Sequence, residues 1–520
     1  MGVFKYMKRF KTTGLCNPKK QYMVDIKDKL EKVKALIENE EYFIINRPRQ
    51  YGKSTLLFAL KKELSKRYVV ISISFEGIGD ESFKNAEVFS DIFIELILKS
   101  LNNTNKEEKE KFKSLLQKKI CNFVELSKII TEFISSLNKE VILIIDEVDK
   151  SSSNQVFLNF LGMLRNKYLD REAEADVTFK SVILAGVYDV KNLKLKIRPD
   201  EEKKYNSPWN IAVPFKVDMS LSQVGIEGML KEYSEDRDIK FNVKKASEFI
   251  YFYTNGYPFL VSRLCQIIDE DLGGIWIEES MIKSVKIILL ESNTLFDDLI
   301  KNMENNKELY NYIFDLIING ADKSFNIDNP IINLGLTFGY FKNVEGKVKI
   351  SNRIFEQRLY NYYISKIETE VSMSGYNVKS SFLLGNGLNI EKILTRFQQF
   401  MKEQYSSKDI KFLESQGRLL FLSFLAPIVN GTGFVFKEVQ ISEEKRLDVV
   451  INYNNHKYII ELKVWRGEEY HEKGLKQLAD YLDINNQSKG YLLVFNFNKN
   501  KEYKKEELTV EGKEIFEVFV

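Results

Sequence analysis

Glu461 and Lys463 stand two positions apart in KYIIELKVWRG, a segment whose apolar residues otherwise predict a buried β-strand. Because side chains alternate faces along a strand, the carboxylate and the ammonium share one face with Ile459. Such a pair is either a surface ion pair, which is common and weak, or part of a site where carboxylates hold divalent ions and the lysine positions or deprotonates a nucleophile. The neighbouring elements decide between the two.

Three short strands are predicted around this pair, at FVFKEVQ, RLDVVINY and KYIIELKVW. The turn residues NYNNHK join the last two into an antiparallel hairpin, which brings Asp448 alongside Glu461. The apolar helix FLESQGRLLFLSFLAPIV before the strands can present Glu414 to them. In the helix EKGLKQLADYLD after them, Gln477 and Tyr481 lie four positions apart and so share one face. The cluster favours a metal site over an isolated surface ion pair.

The order of these residues, an acid, then Glu-x-Lys, then Gln-x-x-x-Tyr, resembles the PD-(D/E)XK nuclease superfamily, with Arg-Leu-Asp in place of its Pro-Asp. The resemblance covers about residues 391–520 and implies a restriction-endonuclease-like α/β domain. It implies that Glu414, Asp448 and Glu461 bind Mg²⁺ or Mn²⁺, and that Lys463 and Gln477 complete the catalytic site. The implied substrate is nucleic acid; we expect DNA, and the sequence leaves RNA open. Candidate phosphate contacts nearby in sequence are Lys437, Lys445, Arg446 and Arg466.

A second group of chemically capable residues lies in RPRQYGKST, between the predicted strand YFIIN and the predicted helix TLLFALKKELSKRY. In the phosphate-binding motif G-x-x-x-x-G-K-[ST], backbone N–H groups cradle phosphates, the lysine reaches the β and γ oxygens, and the hydroxyl holds Mg²⁺. Gly52, Lys53 and Ser54 fill the second half of this motif, and Thr55 follows them. Arg47 stands where the first glycine belongs. We therefore expect ATP to be bound, while its hydrolysis stays open.

The segment EVILIIDEVDK supplies the carboxylates that such a loop needs. Its apolar run, residues 141–145, predicts a strand of a parallel sheet buried on both faces. Ligands of open α/β folds bind at the carboxyl ends of such strands, where Asp146 and Glu147 stand. Asp146 is expected to share a Mg²⁺ ion with Ser54, and Glu147 to polarise the attacking water.

Residues that would complete an ATPase site are harder to choose. The strand SVILAG ends near Tyr188 and Asp189, either of which can sense the γ-phosphate. Arg198 is a candidate arginine finger in a homo-oligomer, and Arg165 competes for the same role. The sequence leaves both choices open.

The segments NRPRQYGKST, LIIDEVD, NSPWNIAV and TNGYPFLVSRL resemble the AAA-like ATPases of prokaryotes that replace the first P-loop glycine with an Arg-Pro-Arg run. The resemblance covers roughly residues 20–290. It implies a nucleotide site that includes Arg49, and a lid in which Gly256, Tyr257 and Pro258 lie close to the nucleotide base.

The predicted fold class is α/β, with four parts in chain order. Residues 1–225 are a P-loop ATPase core, and residues 226–367 are a helical lid and a winged-helix-like region. Residues 368–390, rich in Ser, Gly and Asn, are a linker, and residues 391–520 are the nuclease-like domain. The winged-helix-like region either contacts DNA, with Arg353 and Arg358 as exposed candidates, or packs as a lid or binds a partner.

Composition excludes several function classes. The 77 Lys and Arg residues nearly balance 74 Asp and Glu residues, so any nucleic-acid binding must come from a local groove. Three cysteines far apart in sequence disfavour a zinc site or a disulfide framework. The two histidines, His456 and His471, are interpreted as solvated bystanders. A signal peptide and long apolar runs are missing from the sequence, which predicts a cytoplasmic protein without a membrane partner.

Taken together, the sequence predicts an ATPase coupled in one chain to a Mg²⁺-dependent nuclease, with nucleotide state gating cleavage. By analogy, such a composite suits defence against phage or mobile elements. The alternative is a signal-transducing ATPase switch whose C-terminal domain binds nucleic acid or a partner without cleaving. A purely structural ATPase scaffold would leave Glu414 and Gln477 unexplained.

Overall fold

The structure is a computed structural model in which two compact units are distinguished. One comprises Met1–Tyr310 with Ser324–Glu356, and the other comprises Asn311–Lys323 with Gln357–Val520. The residues described are 7–101, 106–116, 120–151, 154–187, 209–317, 321, 323–374, 382–404, 421, 424–425, 428, 433–440, 446–453, 456–498 and 501–520.

The first unit is built on a parallel sheet with strand order β1-β4-β3-β2. Its strands are β1 (Phe43–Asn46), β2 (Val69–Ser74), β3 (Val141–Asp146) and β4 (Ser181–Gly186). The helices that accompany it are α1 (Lys27–Glu38), α2 (Lys53–Leu64), α3 (Ala86–Leu101), α4 (Lys106–Leu115), α5 (Phe123–Ser135) and α6 (Gln155–Glu172). The predicted α/β class is confirmed, and the P-loop lies between β1 and α2.

The sheet is covered on both faces, as the unbroken apolar run in β3 predicted. Alternate residues of β3 enter different cores: Leu143 and Ile145 pack with α3 to α6, while Ile142 and Ile144 pack with α1 and α2. All of them are fully buried. Two cores of this kind fix the strands in register, so the residues that follow β1 and β3 meet at one edge of the sheet.

A group of helices follows the sheet. They are α7 (Gln223–Arg237), α8 (Val243–Thr254), α9 (Pro258–Gln266), α10 (Glu278–Leu290) and α11 (Thr294–Glu304). Between α8 and α9 the backbone turns through Asn255 and Gly256, whose φ angles are 46° and 72°. Pro258 then starts α9, where its fixed φ suits the first helical turn.

The arrangement of helix, hairpin and helix predicted around residue 345 is present. It consists of α13 (Pro330–Thr337), β5 (Phe341–Val344), β6 (Lys347–Ile350) and α14 (Arg353–Ser374), so α14 continues into the segment predicted as a linker. Glu345 and Gly346 both have positive φ, as tight hairpin turns require. Arg353, predicted to be exposed, is half-buried, because its Nη1 donates to the Phe252 carbonyl at 2.7 Å and its guanidinium covers the Phe252 ring. Arg358 is half-buried as well.

The second unit contains a six-stranded mixed sheet with order β13-β14-β12-β11-β10-β9. Its strands are β9 (Gly433–Gln440), β10 (Arg446–Tyr453), β11 (His456–Val464), β12 (Lys489–Phe495), β13 (Lys505–Val510) and β14 (Lys513–Phe519). Strand β12 pairs in parallel with both β11 and β14. The other three pairs, β9 with β10, β10 with β11, and β13 with β14, are antiparallel. Helix α12 (Lys307–Ile317) begins in the first unit and ends in the second. The other elements of the second unit are the short hairpin β7 (Leu383–Leu384) and β8 (Gly387–Leu388), α15 (Ile390–Gln404) and α16 (Glu468–Ile484).

Helix α16 covers one face of this sheet. Leu478 and Leu482 from the helix pack with Leu492 and Val494 from the central strand β12. Buried Arg396 of α15 donates to the last two carbonyls of α12, which are left without partners in the helix itself. In the described part of the chain, no helix combines the length and apolar character needed to cross a lipid bilayer.

Candidate nucleotide site and candidate nuclease site

The loop between β1 and α2 has the backbone geometry of a phosphate-binding turn. Gly52 directly precedes α2 with φ of 84°, a conformation that favours glycine, so the helix N-terminus opens toward the loop. The Lys53 Nζ donates to the carbonyl oxygens of Arg47 and Pro48 at 2.7 and 2.9 Å. Burial lowers the pKa of the Lys53 ammonium, against the opposing effect of three nearby carboxylates. The lysine is thus fixed inside the loop that it is predicted to serve.

Arg47 has a structural role that the sequence did not reveal. Its Nη2 donates to the carbonyls of Phe215 and Val217 at 3.2 and 2.8 Å, and its guanidinium lies 5.1 Å from the centre of the Phe215 ring. Its Nη1 donates to the carbonyl of Asn46. The side chain that replaces the first P-loop glycine therefore ties the loop to a segment about 170 residues later.

The carboxylates predicted to serve the nucleotide lie at the carboxyl end of β3. The Ser54 Oγ donates to the Asp146 Oδ2 at 3.3 Å, so these two predicted Mg²⁺ ligands are adjacent. Burial raises the pKa of the Asp146 carboxyl, while the Glu147 amide hydrogen bond and the charge of Lys53 act in the opposite direction. Glu147 has φ of 56° and a pKa that burial and neighbouring Asp146 raise. A hydroxyl beside a carboxylate is a donor set that fits Mg²⁺.

Asp149 is a further residue of this edge that the sequence did not single out. Its Oδ2 accepts a 2.6 Å hydrogen bond from the amide of Val187, the residue after β4. A side chain at Gly186 would lie only 2.7 Å from its Oδ1. The sequence signal was the second aspartate in DEVD. Tyr188, Asp189 and Arg198 lie outside the described residues, and Arg165 is half-buried on α6.

The Gly-Tyr-Pro segment lies against the same loop. The buried Tyr257 hydroxyl donates to the Arg49 carbonyl at 2.6 Å. Pro258 is 3.9 Å from where a side chain at Gly52 would begin. An apolar cavity of about 90 Å³, which we call the base cavity, lies beside the start of α2. Its lining includes Cys16, Tyr51, Gly52, Thr55, Leu221 and Pro258.

The predicted nuclease residues on β11 and α16 form a continuous chain of polar contacts. Glu461, with 2% of its surface exposed, lies 3.0 Å from the Lys463 Nζ through its Oε1. The Lys463 Nζ donates to the Gln477 Oε1 at 3.1 Å, and the Gln477 Nε2 donates to the Tyr481 hydroxyl at 2.8 Å. The pair is thus covered by α16 and is not a surface ion pair. A buried carboxylate fits a divalent ion, because an ion neutralises the charge that burial would penalise.

Asp448 lies on the neighbouring strand at the level of Glu461. Val449 pairs with Ile460 in the antiparallel ladder, and Asp448 and Glu461 are the next residues on the two strands. The predicted hairpin is confirmed. The side chains of Asp448, Lys437 and Arg446 lie outside the described part of the structure, as do Glu414 and Lys445 entirely. The described contacts therefore join Glu461, Lys463 and Gln477.

The prediction that both histidines are solvated is confirmed for His456 and wrong for His471. The His471 Nε2 lies 2.9 Å from the Oε2 of the fully buried Glu517. Its ring is 5.2 Å from that of Trp465 and 5.5 Å from that of Phe519. No local pattern links a residue of α16 to one on β14, so the sequence could not reveal this pair.

Comparisons with known proteins match both halves of the chain. A family model described as an AAA-like domain matches residues 19–364, and one described as the PD-(D/E)XK nuclease superfamily matches residues 431–506. No curated protein matches the chain.

Several solved structures resemble about two thirds of this chain. A Walker-type ATPase of Pyrococcus abyssi is 15% identical, covers 68% of this chain and 99% of its own, and has a TM-score of 0.48. The Aeropyrum pernix ORC2 protein in ADPNP and ADP complexes is 12% identical, with 67% and 95% covered and a TM-score of 0.37. The Aeropyrum pernix ORC1 protein in complex with DNA is 11% identical, with 66% and 94% covered and a TM-score of 0.28.

Both resemblances drawn from the sequence motifs are confirmed by the family matches. The first match spans more than half of the 520 residues. The second contains the strand with Glu461 and Lys463 and the helix with Gln477. The chain belongs to the AAA-like domain family and carries a PD-(D/E)XK nuclease-superfamily domain in its C-terminal part.

Proposed function

We propose that this protein binds ATP with Mg²⁺ at the P-loop and cleaves nucleic acid, DNA by preference, with its PD-(D/E)XK domain. The observation that carries the proposal is the contact chain from buried Glu461 through half-buried Lys463 to Gln477 of α16. Surface ion pairs need no such support. Homo-oligomerisation, a cytoplasmic location and a role in prokaryotic defence belong to the same proposal.

At the nucleotide site, the chain's own groups have complementary tasks. The N-terminus of α2 and Lys53 bind the phosphates, and Ser54 with Asp146 would hold Mg²⁺, which supplies positive charge beside the phosphate oxygens when bound. Glu147 is placed to orient water, and its raised pKa suits a group that accepts a proton. The base would lie close to Pro258, which lines the apolar base cavity.

At the nuclease site, Asp448 and Glu461 would hold a divalent ion, which activates water and neutralises developing negative charge when bound. Lys463, whose Nζ lies 3.0 Å from the Glu461 Oε1, would supply a second positive charge for the scissile phosphate. The Gln477 side chain fixes the Lys463 ammonium, and Tyr481 fixes Gln477 in turn. Asp448, Glu461 and Lys463 carry the charges that phosphodiester cleavage needs. Gln477 and Tyr481 orient the lysine.

Cleavage of labelled DNA and RNA with Mg²⁺ or Mn²⁺, with and without ATP, tests the proposal. Asp448→Ala and Lys463→Ala are expected to abolish cleavage while leaving the far-ultraviolet circular dichroism unchanged. Lys473→Ala is the matched control, because this lysine is on the same helix as Gln477 but 72% exposed and paired only with Glu469 among the contacts described. Cleavage that survives Lys463→Ala refutes the active-site assignment. Binding of nucleic acid without cleavage under every condition would favour the switch function instead.

ATP binding is tested separately with a fluorescent ATP analogue. Lys53→Ala is expected to remove binding, since no other ammonium in the described part of the loop reaches the phosphate position. If ATP changes the cleavage rate of the wild type but not of the Lys53→Ala variant, nucleotide state gates the nuclease. Equal ATP affinity of both proteins would refute the nucleotide assignment.

A further inference from the structure

The P-loop residue Arg49 forms an ion pair with α11, a helix outside the nucleotide-binding motifs described above. Its Nη1 lies 3.2 Å from the Oδ2 of Asp298 on α11. The Arg49 side chain is 63% exposed and that of Asp298 is 31% exposed. An ion pair this accessible to water contributes little to stability and is easily exchanged for a better partner.

The next residue of the loop is tied to the same helix. The Gln50 Nε2 donates to the Thr294 Oγ1 at 2.6 Å, and Thr294 lies one helical turn before Asp298. Gln50 itself has φ of 56°. Two consecutive P-loop residues therefore contact one face of α11, while Tyr257 fixes the Arg49 carbonyl from another side. The backbone of Arg49 is therefore fixed, and only its side chain can exchange Asp298 for another partner.

The position of Arg49 brings its charge to the place where phosphate is expected. Arg49 lies three residues before Gly52 in the P-loop, and it lines one cavity together with Asp149, which follows β3. A guanidinium binds phosphate oxygens through two parallel hydrogen bonds, more strongly than it binds an exposed carboxylate. A cavity of about 170 Å³ lined by Arg49, Asp149 and Asp298 leaves room for this side chain to move.

We propose that Asp298 competes with the terminal phosphate of ATP for Arg49, so that ATP, but not ADP, breaks the ion pair between Arg49 and α11. This inference rests on the ATP binding proposed above. It makes Asp298 a determinant of the preference for ATP over ADP, although Asp298 itself does not touch nucleotide. Helix α11 would then report which nucleotide is bound.

Equilibrium titration with fluorescent ATP and ADP analogues tests the competition, using the full chain with Mg²⁺. Removing one exposed ionic partner changes affinity by at most about fivefold. Asp298→Asn is therefore expected to tighten ATP binding by about threefold to fivefold and to change ADP binding by less than about twofold. Asp297→Asn is the matched control, because Asp297 is the neighbouring, exposed acid of α11, and it is expected to change neither affinity.

A double-mutant cycle separates competition from simple charge repulsion. In the Arg49→Gln background, Asp298→Asn is expected to leave ATP affinity unchanged, because the competing guanidinium is gone. If the tightening persists in that background, Asp298 acts on phosphate through space and the proposal is wrong. Equal effects on ATP and ADP, or no effect on ATP, also overturn it while ATP binding stands. A wild-type chain that binds no nucleotide overturns both this proposal and the nucleotide assignment.

Discussion

Replacing Gly256 with alanine is a sharp test of how the Gly-Tyr-Pro turn supports the nucleotide site. Gly256 has φ of 72°, a region that side chains rarely occupy. A Cβ there would lie 2.9 Å from the backbone nitrogen and carbon of Leu221, and closer still to its oxygen. The Leu221 amide donates to the Gly256 carbonyl at 2.8 Å, so the two backbones cannot separate without losing this bond.

The cost of Gly256→Ala can be assembled from these contacts. The left-handed backbone costs an alanine about 1–2 kcal/mol, and the stretched hydrogen bond costs about 1 kcal/mol. Relieving the overlap adds about 1 kcal/mol or more, because the obstacle is backbone rather than a flexible side chain. We expect the variant to lose about 3–4 kcal/mol of unfolding free energy. Since Leu221 and Pro258 both line the base cavity, ATP affinity should fall at least about tenfold.

Urea unfolding followed by tryptophan fluorescence measures the loss. Trp209 and Trp276 lie in the first compact unit, which contains Gly256, and Trp465 lies in the second, so the comparison is made in a Trp465→Phe background. Gly228→Ala is the matched control: Gly228 is inside α7, and no atom lies within 4 Å of the added Cβ. That control should gain about 0.5–1 kcal/mol, because alanine is the better helix former. A Gly256→Ala variant with the wild-type urea midpoint and ATP affinity would refute the steric argument.

Two further predictions concern packing and pH. The pKa of Asp176 is lowered overall, because hydrogen bonds from buried Lys167 and from Thr131 outweigh the opposing effect of burial. Its contribution to stability is therefore present above its unfolded pKa of about 3.9 and is lost as pH falls through the lower folded value. Asp176→Asn should cost about 3 kcal/mol at neutral pH and flatten the acid limb of a urea-midpoint titration; an unchanged acid limb would contradict this assignment. Gly335→Ala should cost about 1–3 kcal/mol in the same unfolding assay, because the added Cβ lies 3.0 Å from the Phe341 Cγ and closer to the ring edge. A wild-type midpoint would show that the ring moves freely.

Much of the fold follows from local sequence patterns. The unbroken apolar run of β3 is buried best as a strand covered on both faces, and the alternation of β11 is buried best as a strand covered on one face. Both strands could therefore be predicted. The contact between Ser54 and Asp146 was predictable for the same reason, because parallel strands bring their carboxyl ends to one edge. The contact between Lys463 and Gln477 forms because α16 packs back over β11. The short connection between Val464 and Glu468 favours this packing.

Contacts between distant, unrelated segments could not be predicted. Arg47 looked like a defect in a motif, and nothing near it in sequence shows the carbonyls that it serves. Asp298 pairs with Arg49 across about 250 residues. The prediction for His471 was wrong because its partner, Glu517, lies on β14, and nothing near His471 in sequence indicates that acid. In each case a side chain forms a hydrogen bond or an ion pair with a group that is distant in sequence and close only in the folded chain.

The anchoring of Arg47 has a consequence for how this P-loop can evolve. A glycine at position 47 would restore the usual motif, yet it would take hydrogen-bond donors from the carbonyls of Phe215 and Val217. Leaving a buried carbonyl unsatisfied costs about 1–3 kcal/mol, comparable to a damaging core mutation. A change from Arg47 to glycine therefore requires compensating changes in the segment around residue 216. Without them, the substituted protein is less stable. The arginine and that segment are thus coupled in their effect on stability.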